Sequence, residues 1–194
     1  MSSIPRLMII VSSTRPVRVG RTVADWFHAQ AEAHGGFDID FVDLAELNLP
    51  LMDEPNHPRL ATYTKQHTLD WSARVDAADA FVFVMAEYNH GYTAALKNAI
   101  DYLLREWAHK PVGFVSYGGV AGGTRAVQAI KPVCVVIKMW PLSEAVYIPW
   151  VAKHVEDGVF KATEDFETQA TAMLKELQRV TEALVPLRAP KPAP

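Results

Sequence analysis

The sequence predicts an α/β fold: a three-layer sandwich with helices on both faces of a parallel sheet. Three observations lead there. Short apolar runs recur along the 194 residues, and stripes of 3.6-residue period separate most of them. The run at 80–86, AFVFVMA, is apolar without a break, as a strand covered on both faces requires. At 37–42 the pattern alternates instead, with Phe37, Ile39 and Phe41 against Asp38, Asp40 and Val42. That period of two marks a strand half open to solvent, near a sheet edge.

Taken in order, residues 7–11 (LMIIV) form the first strand. Val19, Val23, Trp26, Phe27 and Ala31 then line one face of a helix. The alternating run is the second strand and the unbroken run a central third. Tyr92, Leu96, Ala99, Ile100 and Leu103 make the next helical stripe, and 112–117 a fourth strand. Residues 125–139 read as a helix that Pro132 is expected to kink by removing a donor. It is apolar nearly all round at 133–137, so that stretch is expected to be buried, in the core or against another subunit. A short last strand follows at 145–148. Phe166, Ala170, Met173, Leu177, Val180 and Leu184 mark a final amphipathic helix. Five strands with an edge-like second one fit the flavodoxin-like order 2-1-3-4-5, whose ligand crevice lies between strands one and three. Residues 1–186 are expected to be a single domain, and the proline-rich tail 187–194 to be disordered.

Composition narrows the class. Hydrophobic residues are 49%, charged residues 21%, and the net charge is −3, so neither nucleic acid nor a membrane surface is an expected partner. No apolar run is long enough to span a bilayer, and Arg6 and Arg15 bracket too short a run for a secretory leader, so a cytoplasmic location is expected. Cys134 is the only cysteine, which rules out an internal disulfide, and its setting, VCVVI, suits a buried thiol. The histidines show no ligand spacing, so no metal site is expected.

Three loops gather chemistry at equivalent strand ends. SSTRPVRVGR, 12–21, puts Ser12, Ser13, Thr14, Arg15 and Arg18 where a strand feeds a helix. Orphan helix N–H groups and the helix dipole favour an anion there, and arginines add charge-assisted bonds to a phosphate. Pro16 holds Arg15 extended, and Gly20 lets a ligand approach the backbone. The loop has neither a G-x-G-x-x-G nor a P-loop pattern, and no G-x-S-x-G elbow occurs elsewhere. AEYNHG, 86–91, offers an aromatic face at Tyr88 and edge contacts from Asn89 and the backbone. SYGGVAGG, 116–123, has glycines where side chains would block a flat ring. Each loop also has a plain reading: a capped helix with solvated arginines, an Asn89 helix cap, an ordinary turn.

Together the three segments resemble the NADPH-dependent FMN reductase family over about residues 7–148. Against that family's G-S-x-R-x-x-S, Ser13 and Arg15 match, while Ser12 replaces glycine and Arg18 replaces serine. Against its P-E-Y-N, Ala86 replaces proline, while Glu87, Tyr88 and Asn89 match. The resemblance implies a flavodoxin-like fold and an FMN site formed by Ser13, Arg15, Arg18, Val19, Gly20, Ala86, Glu87, Tyr88, Asn89, Ser116, Tyr117, Gly118 and Gly119. It implies two-electron transfer from NADPH or NADH through FMN to a small-molecule electron acceptor: a quinone, azo compound, metal oxyanion or free flavin. No side chain is then needed as nucleophile or general base. It also implies a homodimer or homotetramer with the flavin near a subunit boundary, where the loop at 49–58 would cover a neighbouring site. A flavodoxin-type electron carrier and a binding protein for another phosphorylated ligand are the rival readings.

Overall fold

The strands of the computed structural model, which describes residues 4–188, follow the patterning of the apolar runs. In chain order these residues form β1 (Arg6–Val11), α1 (Gly20–His34), β2 (Asp38–Asp43), α2 (Leu44–Leu47) and α3 (Gln66–Asp76). Next come β3 (Ala80–Ala86), α4 (Ala94–Asp101), β4 (Pro111–Tyr117), α5 (Thr124–Val136) and β5 (Trp140–Ile148). A hairpin of β6 (Val155–Glu156) and β7 (Val159–Phe160) precedes α6 (Glu164–Arg188). The main sheet has five parallel strands in the order β2-β1-β3-β4-β5. All five therefore end at one edge, and the loops that leave them share that edge.

The unbroken run of β3 is explained by the two cores it separates. Ala80, Val82, Val84 and Ala86 face one cluster with Phe27, Ala31, Met173 and Leu177 from α1 and α6. Phe81, Phe83 and Met85 face the other, with Trp71, Leu96, Trp107 and Ile130. Successive side chains of a strand point to opposite faces, so a strand lined on both sides tolerates no polar residue. Fully burying one such phenylalanine stabilises the fold by roughly 1.5–3 kcal/mol. Asp40, on the alternating edge strand β2, is held by Arg74 of α3 through a short bond of 2.6 Å.

The structure differs from the sequence expectations in several elements. β5 starts at Trp140, not 145. It is an edge strand with a register irregularity opposite Val112 and Phe114, which accommodates Pro141 and the polar Ser143 and Glu144. α3 was not foreseen, although Thr68, Trp71 and Val75 are its buried stripe. Within a single chain the stretch 133–137 meets the core only in part: Cys134 faces it, whereas Val135 and Val136 are exposed, as the alternative of burial against another subunit allows. Those two valines lie on the outer side of a helix of which only one face meets the sheet. α5, expected over 125–139, contains Pro132 as expected but ends at Val136, and Lys138 follows in a left-handed conformation. Met139 N–H there reaches Cys134 C=O at 2.9 Å. Finally, α6 runs to Arg188, so 187 and 188 are helical rather than tail. Arg188 is anchored there, Nη1 to Asp79 Oδ1, at 2.6 Å. The rest of the expected tail, 189–194, lies outside the described residues. Burial pushes the Cys134 thiol up to about 12, which keeps it protonated. No helix among the described residues is long and apolar enough to cross a membrane.

Candidate functional site: three loops at the strand ends

The loop after β1 leaves the sheet with Ser12 N–H bound to Val84 C=O at 3.0 Å. Its one internal backbone bond runs from Arg18 N–H to Arg15 C=O, at 3.1 Å. Among the described residues, the N–H groups of Ser13, Thr14, Arg15 and Val17 meet no protein acceptor. Ser13 is buried, and its Oγ lies 2.8 Å from the Tyr88 hydroxyl, joining the loops of β1 and β3. Arg15 is exposed and has no ion pair among the described residues. Ser12 Oγ is buried without a partner. Val19 caps the start of α1 in a helical conformation, with no side-chain hydrogen bond. Unpaired N–H groups, a serine hydroxyl and a free guanidinium form a donor set suited to a phosphate.

Arg18, expected at the phosphate, has another partner. Its Nη2 lies 2.6 Å from Asp43 Oδ2 at the end of β2. The Asp43 side chain is fully buried, also contacts Arg21 Nη1 at 3.3 Å, and accepts the Ala45 N–H at 3.0 Å to cap α2. Arg18 thus fastens the first loop to the neighbouring strand end. Tyr117, also expected at the FMN site, has its side chain in the core. It is buried beneath α1, where a Cβ on Gly20 would overlap its hydroxyl. Burial and the nearby Tyr88 raise the Tyr117 pKa, so its phenol stays neutral.

The loop after β3 is a tight hairpin turn. Tyr88 and Gly91 exchange both backbone bonds, at 3.0 and 2.9 Å, while Asn89 and His90 have φ of 50° and 68°. Two successive positive φ values define a type I′ turn, and asparagine is among the residues that tolerate them best. The cap of α4 is Thr93, not Asn89: Thr93 Oγ1 accepts Leu96 N–H at 3.3 Å and donates to Ser12 C=O at 2.9 Å. Asn89 therefore keeps its side chain exposed beside Tyr88. Glu87 turns toward α5, pairing with Arg125 and accepting its N–H at 3.2 Å. α5 begins at a glycine cap with no side chain, and Glu87 supplies the missing anion at that positive helix end. Arg125 Nη1 also reaches His90 Nε2, at 2.7 Å.

The glycine loop divides its labour. Ser116 is buried and donates to Gly122 C=O at 3.0 Å, so it closes the loop from within. A Cβ on Gly118 would rest against Glu87 Cβ at 3.4 Å, whereas one on Gly119 would meet open space. At Gly119, then, no protein atom would oppose a side chain. Gly119 C=O and Gly118 C=O accept the N–H groups of Trp150 and Val151, at 2.9 and 3.2 Å. Sequence reading missed Asp43, Thr93, Arg125 and Trp150. A buried-strand end carrying an acid was the available signal for Asp43, and nothing local pointed to the others.

The donor set of the first loop and the open position at Gly119 fit FMN, and the comparisons with known proteins agree. The family model for NADPH-dependent FMN reductase matches residues 5–153. An NAD(P)H-dependent FMN reductase of Schizosaccharomyces pombe is 37% identical over 90% of this chain and 86% of its own. An NADPH azoreductase of Bacillus sp. is 30% identical over 89% of this chain and 91% of its own. The solved structure of FerB, a flavoenzyme NAD(P)H:(acceptor) oxidoreductase from Paracoccus denitrificans, superposes with a TM-score of 0.73 at 22% identity, covering 93% and 98% of the two chains. At that identity it shows the shared fold. With the match spanning the sheet, all three loops and the strand-one crevice, the chain belongs to the NADPH-dependent FMN reductase family of flavoenzymes.

Proposed function

We propose that this chain moves two electrons from NAD(P)H through bound FMN to a small-molecule acceptor. A quinone or an azo compound is the acceptor class favoured by the similarity to named relatives. The observation that carries this reading is the first loop: a buried serine, an unpaired arginine and unpaired N–H groups at the crevice between β1 and β3. When bound, FMN supplies the hydride and electron chemistry, and the protein supplies placement and electrostatics. The Ser13 hydroxyl, the Arg15 guanidinium and the loop N–H groups hold the phosphate at the start of α1, beside Val19 and Gly20. The backbone of Ala86, Glu87, Tyr88 and Asn89 borders the ring on one side, with Gly118 and Gly119 on the other. Ser116, Tyr117 and Arg18 act beneath these loops and keep them in place. No side chain serves as nucleophile. The overall reaction passes a hydride from NAD(P)H and a proton from water to a quinone, giving NAD(P)+ and hydroquinone. The protein works in the cytoplasm, a reading supported by its apolar patterning, and as a homodimer or homotetramer, a reading supported by the resemblance alone.

Arg15→Ala tests the phosphate assignment. It is expected to weaken FMN binding by about 1.5–3 kcal/mol, the range of a hydrogen bond to a charged group, with the urea midpoint unchanged. Titration of FMN fluorescence measures it. Wild-type affinity in the variant would remove Arg15 from the site.

A further inference from the structure

Trp150 is held in a conformation that its packing does not explain. Its φ is 50°, a left-handed value that crowds any residue with a Cβ and is rare for a bulky aromatic. Such strain persists only where surrounding structure enforces it, and it concentrates at functional sites. Here Trp150 N–H binds Gly119 C=O at 2.9 Å, and Lys153 N–H binds Trp150 C=O at 2.8 Å. The conformation leaves the residue half exposed, at 52%. The Lys153 ammonium lies 5.5 Å from the indole centroid and helps to orient it. Two further exposed side chains are Val120, within the glycine loop, and Tyr88, on the loop after β3. A half-exposed tryptophan in an enforced conformation is thus tied through its backbone N–H to Gly119, where a Cβ would meet open space.

Resting on the functional reading above, we propose that Trp150 is a specificity-determining residue of the acceptor subsite. Its indole gives a flat aromatic acceptor, such as a naphthoquinone, a surface to stack on while it is reduced. A stacking surface discriminates by shape: it favours planar aromatic acceptors and does nothing for a compact inorganic one. Trp150→Ala and Trp150→Phe are compared in the FMN-loaded enzyme with NADPH as donor, using 1,4-naphthoquinone and ferricyanide as acceptors.

Trp150→Ala is expected to lower the naphthoquinone-to-ferricyanide ratio of kcat/KM by about five- to tenfold, the size of one aromatic contact, mainly through KM for the quinone. Trp150→Phe restores most of the ratio. An unchanged ratio in Trp150→Ala overturns the proposal. So does a parallel loss for both acceptors with weakened FMN binding, which would make the indole a support for the loop, or a changed oligomeric mass, which would make it a subunit contact. A wild-type protein that takes up no FMN would instead bring down the functional reading itself, before either variant is compared.

Discussion

Gly123→Ala is expected to lower stability by about 3 kcal/mol, combining left-handed backbone strain with overpacking. Gly123 has φ of 87°, and a Cβ there would lie 2.6 Å from Ser116 Cβ and 2.8 Å from the Tyr117 backbone nitrogen. The Tyr117 nitrogen belongs to β4 and cannot swing aside as a side-chain tip would. The loop must therefore move off the end of the strand, taking Gly118 and Gly119 with it. FMN affinity is expected to fall together with stability. Urea unfolding of the protein without FMN separates the two effects. A loss under about 0.5 kcal/mol, within the scatter of surface substitutions, would show that the loop relaxes freely.

Asp43→Ala is expected to cost about 3–5 kcal/mol, because it leaves the largely buried Arg18 without its counter-ion. Asp43 is fully buried, and Arg18 is only 17% exposed, so water cannot replace the lost partner. The cap of α2 is lost as well. The double variant Asp43→Ala with Arg18→Met is expected to recover part of the loss, since no unpaired charge then remains buried. Denaturant unfolding of the single and double variants measures this. Equal stability of both would mean that the ion pair does not fasten the loop. Arg18 and Arg15 are thereby distinguished: the first is expected to govern stability, the second FMN affinity.

The sheet was legible because strand burial is written in short-range periodicity. The unbroken run of β3 and the alternation of β2 place those strands in the centre and at the edge. The start of β5 was not legible. Edge strands tolerate the proline and polar residues that mask them, and Trp140–Ile148 contains both. The β6–β7 hairpin had a readable signal that went unused, the Asp157–Gly158 pair, both residues with positive φ.

At the site, the spacing of polar residues and glycines located all three loops, but not the direction of their side chains. Arg18 and Arg15 look alike in sequence. Only the fold reveals that Asp43, 25 positions from Arg18, waits at the neighbouring strand end. The same holds for Glu87, which turns to Arg125 at the start of α5, 38 positions away. Trp150 had no local signature, because its conformation depends on a backbone bond to a glycine loop at the end of another strand.

The central claim is that these loops hold FMN where NAD(P)H can reduce it. The most direct test is the visible spectrum of the FMN-loaded protein under anaerobic conditions, before and after NADPH or NADH is added. Bound-flavin absorbance is expected to bleach on addition of at least one nucleotide and to return when a quinone is supplied. Flavin that binds but that neither nucleotide bleaches would contradict it and leave an electron carrier. Failure to take up FMN at all would contradict the site itself.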